Sequence, residues 1–445
     1  LIDAIKQATP DNPLSVRLNG AELMDKWGGN TQDESFELMQ QAVDCGVDMI
    51  SVTVGWQEAP ESSFGRDVEP GYWNFLSEKA KKMFPNVLVA FGNRLPDPAM
   101  ADQCVKDGIF DYWEVCRPLL ADPEMIHKAA EDRMEEVRPC IGSLNCLSRL
   151  FRDLPYTCTM NPMLGHEVEP EYHVTEATEK KRVMIIGAGP AGMEAAITAR
   201  RRGHTVTVFD KNDKIGGNLA AYAGNDLARP ADLQSVIDYY GVMAKKLGVE
   251  VRLNTEANAK FMRSILHEYD ACIVAAGART DLESFRYMPG SELLIDALEV
   301  AHRRKQVGKR VVMLGGGAIG LTISEFLQKA GHEVTVVERD KRIGGDIMPT
   351  FKWRHTAWVD ELGIKTICSA QLVKVTAEGA TVKTAKGEEV FVPCDNVIVS
   401  SPRKANHDLF YEFQWMIDEL HGGGDATVPR GLDAAIQEGY KLGVR

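Results

Sequence analysis

Two glycine-rich turns are the residues of this sequence best suited to chemistry. Each turn follows a short apolar stretch, opens a helix-forming stretch and is followed by an acidic residue. In both cases the acid lies 23 residues after the first glycine. The first turn has Gly187, Gly189 and Gly192 before Asp210, and the second has Gly315, Gly317 and Gly320 before Glu338.

This spacing is typical of a turn that binds the pyrophosphate of a dinucleotide. The first glycine allows a tight turn, the second lets the backbone approach the pyrophosphate, and the third lets helix and strand pack closely. The helix N-terminus presents N–H groups and a positive dipole end to the anion. The acid accepts hydrogen bonds from ribose hydroxyls. Because strand, helix and acid occur together twice, two dinucleotide sites are favoured over two glycine-rich turns without a ligand.

The two turns belong to an internal repeat with a constant offset of 128 residues. Residues 181–192 recur as 309–320, and residues 215–217 recur as 343–345. Such a repeat indicates a duplicated nucleotide-binding unit or two units that converged under the same constraints.

Residues 1–134 alternate strand and helix signals after a leading helix at residues 1–8. The strands are mostly apolar, as in a parallel sheet that is buried on both faces. Four βα units are half of a (β/α)8 barrel, which leaves two open strand edges. We therefore expect the other half on an upstream segment or another polypeptide. The predicted strands are 14–19, 47–54, 86–92 and 112–116, and the predicted helices are 33–46, 71–84, 98–108 and 123–133.

Composition limits the partners of the chain. The 445 residues predict two or three domains. A net charge of -13 argues against nucleic acid and against an anionic membrane surface as partners. No apolar run approaches the roughly 20 residues of a membrane-spanning helix. Most of the nine cysteines are scattered, which indicates a reduced, cytoplasmic protein rather than a disulfide scaffold.

The first turn and the segments after it resemble the FAD site of flavoproteins with two dinucleotide domains. Residues 210–211 and 215–218 resemble the run after their second strand, residues 271–277 resemble a later strand motif, and residues 424–425 resemble their last motif. The resemblance implies FAD at the first turn and a nicotinamide dinucleotide at the second. The implied FAD-binding residues are Gly187, Gly189, Ala191, Gly192, Asp210, Lys211, Gly217, Asn218, Ala257, Gly277 and Asp425, and the implied NAD-binding residues are Gly315, Gly317, Gly320 and Glu338.

The choice of nicotinamide dinucleotide depends on the second acid. Glu338 should repel a 2′-phosphate, so NADH is favoured, and NADPH is the alternative because Arg339 adjoins that acid. One departure from the flavoprotein pattern is Ser400-Ser401, where such proteins end a strand with glycine, so the domain join is expected to differ there.

The whole chain resembles the family of 2,4-dienoyl-CoA reductase and trimethylamine dehydrogenase. These proteins join an old-yellow-enzyme-like FMN barrel to an FAD/NAD(P) module, with an iron–sulfur cluster at the junction. The match begins at about the fifth strand of the barrel. It implies an α/β fold with the C-terminal half of a barrel followed by two Rossmann-like domains, one inserted in the other. The implied divisions are a partial barrel at 1–134, an iron–sulfur linker at 135–179, an FAD domain at 180–282 and 395–445, and an NAD(P) domain at 283–394.

The resemblance implies FMN in the partial barrel. Residues 16–18 resemble the strand whose basic residue faces the FMN pyrimidine, and residues 92–94 and 116–123 resemble the loops that hold the phosphate. The alternative is that the three arginines involved are ordinary surface charges. The implied FMN-binding residues are Arg17, Gly92, Arg94, Cys116 and Arg117.

Cys140, Cys146 and Cys158 resemble ligands of the family's [4Fe-4S] cluster. The family's second cysteine position is Ser143 here, and a thiolate is a better ligand for such a cluster than a hydroxyl. A cluster with a non-cysteine fourth ligand, a three-iron cluster, a lost cluster and three unrelated cysteines therefore all stay open.

Trp56 and Gln57 are the implied catalytic residues. Dienoyl-CoA reductases have histidine where Gln57 stands, and glutamine cannot act as a general acid near neutral pH. Trp56 is either a substrate wall or a core residue. The resemblance implies electron flow from NADH through FAD and the cluster to FMN, and then to an activated C=C bond of an enoyl-CoA or enone. The alternatives are a methylated-amine dehydrogenase and an electron-input subunit whose partner chain supplies the other half barrel, and a homo-oligomer is also open.

Overall fold

The computed structural model of the chain describes residues 1–56 and 58–445. It divides into two compact units, Leu1–Gly142 and Ser143–Arg445, which are described separately. Gln57 lies outside the described residues, so its predicted catalytic role is not addressed by the structure. None of the helices in the described ranges combines the length and the apolar character that a bilayer-spanning helix requires.

The first unit is a parallel sheet of four strands in the order β1-β2-β3-β4, with helices between the strands. The predicted alternation is present. The last strand is shorter than predicted and ends at Trp113, and helix α5 begins at Arg117. The elements are α1 Ile2–Ala8, β1 Ser15–Ala21, α2 Gln32–Asp44, β2 Met49–Val54, α3 Asn74–Met83, β3 Leu88–Phe91, α4 Pro98–Lys106, β4 Tyr112–Trp113, α5 Arg117–Ala121 and α6 Met125–Ala130.

The two faces of this sheet differ in chemistry. Alternate strand residues, including Ile50, Val52 and Val89, pack in one hydrophobic core with residues of the helices. Successive side chains of a strand point to opposite faces, so the residues between them form a second face. The second face is polar and carries Arg17, Asn19, Ser51 and Thr53.

The second unit contains two parallel five-stranded sheets, one for each glycine-rich turn. The first sheet has the order β19-β8-β5-β6-β7, so its outermost strand comes from the C-terminal segment. This return of the chain agrees with the predicted insertion of one nucleotide-binding unit in the other. Its elements, with the helices around it, are α7 Asn145–Leu150, β5 Arg182–Ile186, α8 Pro190–Arg201, β6 Thr205–Phe209, α9 Asn218–Ala223, α10 Pro230–Leu247, β7 Glu250–Arg252, α11 Ala259–Ile265, β8 Ala271–Val274, β19 Glu419–Gly422 and α16 Leu432–Val444.

The second sheet has the order β10-β17-β11-β12-β13, and an antiparallel sheet β14-β15-β16 follows β13 in the chain. Helix α13 follows β11, as α8 follows β5 in the first sheet. The elements are β10 Leu294–Asp296, α12 Ala297–Ala301, β11 Arg310–Leu314, α13 Ala318–Lys329, β12 Glu333–Val337, α14 Pro349–Leu362, β13 Lys365–Ile367, β14 Ala370–Thr376, β15 Gly379–Thr384, β16 Glu389–Pro393 and β17 Asn396–Val399.

The two nucleotide-binding units are joined by a small antiparallel pair of strands, β9 Ala278–Thr280 and β18 Arg403–Ala405, after which α15 Asp408–Phe413 follows. β17, at the start of the predicted C-terminal FAD segment 395–445, pairs with β10 and β11 of the second sheet. After β17, Arg403 of β18 pairs with Thr280 of β9, which precedes the second sheet in the chain. The wider division into domains stays a prediction.

Candidate functional site

The first glycine-rich turn lies between β5 and α8, at the carboxyl end of the sheet. Gly187 has φ of +109°, and a Cβ there would lie 2.3 Å from the carbonyl oxygen of Ala275. A Cβ at Gly192 would lie 1.9 Å from the carbonyl oxygen of Gly187. Both contacts are with backbone, which cannot move aside without moving a strand. Glycine is therefore required at these two positions by the protein itself.

Gly189 differs from its two neighbours in the motif. It is the N-cap of α8, with φ of −75°, and a Cβ there would have no protein atom within 4 Å. The protein therefore does not require glycine at this position. A ligand that approaches the backbone at the helix N-terminus would require glycine here. Close approach of such a ligand is the role that the motif assigns to the second glycine.

Asp210 lies at the end of β6 and is buried. Its carboxylate accepts the backbone N–H of Ala188 at 2.7 Å and that of Asn212 at 2.8 Å. The acid thus ties the glycine-rich turn to the end of the neighbouring strand. Lys211 beside it is exposed, and Ala257 is buried against the same end of the sheet.

A second loop packs on the first turn. The N–H of Gly216 donates to the carbonyl of Ala188 at 2.8 Å, and a Cβ at Gly217 would lie 3.1 Å from the Cα of Gly189. Asn218 then begins α9, and its amide donates to the carbonyl of Ala278 at 3.0 Å. Gly277, with φ of +68°, lies just before that carbonyl.

The C-terminal segment also reaches this turn. A Cβ at Gly424 would lie 2.7 Å from the Cβ of Ala191, and one at Gly439 of α16 would lie 2.2 Å from the carbonyl oxygen of Ala191. Ala191 is therefore packed between two glycines. Asp425 follows Gly424 directly, so the structure brings the last predicted FAD motif to the N-terminal end of α8.

The second glycine-rich turn repeats this geometry with the offset of 128 residues. A Cβ at Gly320 would lie 1.9 Å from the carbonyl oxygen of Gly315, whose φ is +103°. The carboxylate of Glu338 accepts the N–H of Gly316 at 2.6 Å, as Asp210 accepts that of Ala188. The N–H of Gly344 donates to the carbonyl of Gly316 at 2.7 Å. Both turns therefore have the local form of a dinucleotide site.

The polar face of the first unit carries a hydrogen-bonded cluster of side chains. Arg17 of β1 donates to the carboxylate of Glu114, which follows β4, at 2.7 Å, and Ser51 of β2 donates to the same oxygen at 2.8 Å. These bonds place side chains of β1, β2 and the end of β4 together on the polar face of the sheet.

The predicted FMN-phosphate residues lie at the carboxyl ends of β3 and β4. A Cβ at Gly92 would lie 1.5 Å from the carbonyl oxygen of Glu114, so the two strand ends are in close contact. Arg94 is buried with φ of +49° and donates to the carbonyl of Val68 at 2.8 Å.

Arg117 begins α5 and donates to the carbonyl of Phe64 at 3.0 Å, while Cys116 just before it is exposed. The side chain of Trp56, which follows β2, is also largely exposed. Its exposure does not fit the alternative that Trp56 is a core residue of this unit.

The predicted cluster ligands fall in different parts of the chain. Cys140 belongs to the first unit, whereas Cys146 in α7 and Cys158 belong to the second. The Ser143 hydroxyl lies 2.9 Å from the Thr159 hydroxyl, so position 143 adjoins the residue after Cys158. Across residues 1–56 and 58–445, no group of three or more His, Cys, Asp or Glu side chains is arranged to hold a metal ion. A cluster held by these cysteines therefore stays a prediction.

Residues 181–423, more than half of the chain, match the family described as pyridine nucleotide-disulphide oxidoreductase. The chain belongs to this family. A solved structure of 2-naphthoyl-CoA reductase with 2-naphthoyl-CoA is 31% identical, with a TM-score of 0.93, and the match covers 100% of this chain and 67% of that one.

Two curated relatives match the oxidoreductase over nearly its whole length. The metal reductase of Desulforamulus reducens is 28% identical over 100% of this chain and 70% of its own. The cinnamate reductase of Clostridium sporogenes is 29% identical over 98% of this chain and 67% of its own. The oxidoreductase thus spans about two thirds of these relatives. The resemblance to fusions of an old-yellow-enzyme-like part with an FAD module is confirmed, and the chain is a flavin-dependent oxidoreductase that uses a nicotinamide dinucleotide.

The structure adds a polar pair to the oxidoreductase's FAD-type unit that the sequence analysis missed. Arg403 of β18 donates to the Tyr222 hydroxyl at 3.1 Å and to the carbonyl of Ala278 at 2.7 Å, the carbonyl that Asn218 also uses. Burial of the phenol raises the pKa of Tyr222 to about 12, so it stays protonated. Tyr222 lies one helical turn after Asn218, and this spacing could have indicated it as a site residue. The sequence gives no such indication for Arg403, because it is 181 residues from Tyr222.

Proposed function

We propose that this oxidoreductase takes hydride from NADH at the second turn, passes the electrons to FAD at the first, and reduces an activated C=C bond. The observation that carries the proposal is the in-register repeat of two complete nucleotide-binding turns in one compact unit. It is supported by the 31% identity to 2-naphthoyl-CoA reductase over the whole chain.

The first turn has the features that FAD requires. Gly189 leaves the N-terminus of α8 open to a pyrophosphate, Asp210 stands at the ribose position, and Asp425 lies near the same helix end for the ribityl chain. Gly217 and Asn218 would cover the pyrophosphate from the other side. Bound FAD supplies the hydride-accepting chemistry, and these side chains supply binding and orientation.

The second turn would hold the adenosine half of NADH. Glu338 occupies the position that binds ribose hydroxyls, and its charge disfavours a 2′-phosphate, so NADH is preferred to NADPH. The glycines of this turn, Gly315, Gly317 and Gly320, would have the same roles as their counterparts in the first turn.

The polar face of the first unit is our candidate for an FMN site. Arg17 projects from it with 63% of its side chain exposed, which suits a cation that faces a flavin pyrimidine. Gly92, Arg94, Cys116 and Arg117 would form the phosphate end, where a cation and backbone N–H groups suit a phosphate. Trp56 is our candidate for a wall of the substrate site.

The substrate class follows from the named relatives. One relative acts on 2-naphthoyl-CoA and another on cinnamate, and both compounds carry a carbonyl group next to unsaturated carbon. An enoyl thioester or an enone is therefore the class to test for this chain. The same assays distinguish this function from the two alternatives. These are oxidation of a methylated amine and a role as an electron-input subunit.

The decisive experiment is a cofactor inventory followed by steady-state assays on the purified full chain. FAD and FMN are released by denaturation and quantified, and NADH oxidation is followed with enoyl-CoA and enone panels beside NADPH and amine controls. We expect one FAD per chain and acceptor-dependent oxidation of NADH. Absence of flavin and of nucleotide binding would end the proposal.

Two further outcomes favour the alternatives. Bleaching of the flavin by a methylated amine without NADH supports the amine dehydrogenase. A native mass well above the 49.2 kDa of this chain, with a second polypeptide present, supports the electron-input subunit.

A further inference from the structure

One side chain distinguishes the second glycine-rich turn from the first. Asp346 lies in the loop that packs on the second turn, and its carboxylate accepts the backbone N–H of Ala318, the first residue of α13, at 2.9 Å. A Cβ at Gly317 would lie 2.8 Å from the other oxygen of the same carboxylate. The N-terminus of α13 therefore already faces an anion from the protein itself.

The first turn provides an internal comparison at the same register. Residue 346 corresponds to Asn218, and Gly317 corresponds to Gly189, both with the offset of 128. Asn218 turns away from the helix N-terminus to the carbonyl of Ala278, and no protein atom lies within 4 Å of a Cβ at Gly189. The two equivalent loops therefore differ in effect. The loop at residues 215–218 leaves the first turn open, and the loop at residues 343–346 places a carboxylate at the second turn.

The chemistry of this contact is competition between anions. A helix N-terminus attracts a carboxylate or a pyrophosphate for the same reasons, namely its N–H groups and its dipole. Two anions cannot occupy one N–H group, and like charges at that distance repel. Asp346 is exposed, so rotation of its side chain can vacate the position while the bond from Gly344 to Gly316 holds the loop.

We propose that Asp346 is an intramolecular competitor that a nicotinamide dinucleotide displaces, and that it lowers the affinity of the second site. This inference rests on the proposed NADH site. It explains why two turns of nearly equal geometry would serve different cofactors. The open first turn retains its dinucleotide, whereas the second releases its dinucleotide in each turnover.

The test is the dissociation constant for NADH, and for ADP-ribose as a dinucleotide without nicotinamide, measured on the FAD-loaded full chain. Asp346→Asn keeps an oxygen that can cap α13 but removes the charge, and we expect the dissociation constant to fall by about tenfold, since hydrogen bonds to charged groups are the stronger ones. Asp360→Asn, near the C-terminal end of α14, removes the same charge elsewhere and is expected to leave the constant unchanged.

The reciprocal exchange tests the first turn. Asn218→Asp introduces the carboxylate there and is expected to lower the FAD retained per chain. If Asp346→Asn folded poorly, Asp346→Ala would serve, because it removes the carboxylate entirely.

The outcomes are distinguishable. In one outcome the parent chain binds both nucleotides normally while Asp346→Asn binds them equally or more weakly. That result overturns the proposed competition and leaves the NADH site standing. Failure of the parent and of every variant to bind either nucleotide, with FAD retained, overturns the NADH site as well. Binding by the variant but not by the parent supports the inference in its strongest form.

Discussion

The glycines of the two turns are needed for different reasons. At Gly187, Gly192 and Gly320 a Cβ would meet backbone of the same unit at 2.3 Å or less. At Gly189 the protein leaves the space empty. Substitution at Gly189 therefore separates the requirement of the ligand from the requirement of the fold.

We expect Gly189→Ala to fold as an apoprotein with parental stability but to retain little FAD, because only a pyrophosphate would meet the added methyl group. Gly192→Ala should instead destabilise the unit by about 1–3 kcal/mol or more, since overpacking against backbone cannot relax. FAD content and thermal unfolding of flavin-free protein are the measurements.

Gly241→Ala in the middle of α10 is the control for these variants. A Cβ there would have its nearest neighbour, Ile215, at 3.5 Å, so the change is expected to be neutral or to stabilise by up to about 1 kcal/mol. Full FAD content in Gly189→Ala would contradict the assignment of this turn.

Residues that are close in sequence could be predicted, and those that are distant could not. A strand, a glycine turn and a helix fix their own geometry, so the two turns and their acids could be recognised from spacing. Arg17 and Glu114 are 97 residues apart, and their contact depends on the pairing of four strands in one sheet, which no local pattern encodes. The roles of all these residues toward cofactors stay predictions.

At the scale of elements, the two nucleotide-binding units share a clamp between strands. Asp270, just before β8, accepts the backbone N–H and the guanidinium of Arg182 at the start of β5. Asp395, just before β17, does the same for Arg310 at the start of β11. Each clamp joins the strand before a glycine-rich turn to a neighbouring strand that comes from a distant part of the chain.

The clamp predicts a dependence of stability on pH. The hydrogen bonds from Arg182 lower the pKa of Asp270 from 3.8 to about 2. A lowered pKa in the folded state contributes stability that is present above the unfolded value and is lost as the pH falls through the folded value. We expect Asp270→Asn to be less stable than the parent at pH 7, and the difference to vanish between about pH 4 and pH 2.

Thermal unfolding across that pH range is the measurement, and the effect is expected to be small because the pair is exposed. Asp395→Asn should behave in the same way, and Glu292→Gln, at an exposed carboxylate, is the control. A difference that stays constant down to pH 2 would mean that Asp270 does not act through its charge.

The order of elements could be predicted from periodicity, whereas the pairing of one strand could not. β17 lies within the predicted C-terminal FAD segment, 395–445. It pairs instead with β11, and Ser400 after it donates to the carbonyl of Leu314 at 3.0 Å. Strand pairing is decided by tertiary contacts, so the departure at Ser400-Ser401 signalled a change in the join without giving its position.

At the scale of the whole molecule, the set of cofactors beside FAD depends on a group of cysteines. Cys140, Cys146 and Cys158 are the predicted cluster ligands, and in the second unit Ser143 adjoins the residue that follows Cys158. Across residues 1–56 and 58–445, which include all nine cysteines, none of them forms a disulfide. Soft thiolates are the ligands that iron–sulfur clusters require, so the count of iron per chain depends on these positions.

We expect anaerobically purified full chain to contain iron and acid-labile sulfide, and Cys158→Ser to lose most of both, because a hydroxyl replaces a thiolate ligand. Ser143→Cys should raise the iron content if three cysteines alone ligate the cluster. Cys368→Ser, in the loop after β13, should leave the iron content unchanged. Iron and sulfide analysis beside the visible absorption spectrum is the measurement. Equal iron in the parent, Cys158→Ser and Cys368→Ser would mean that these cysteines hold no cluster, and electrons would then have to pass between flavins without one.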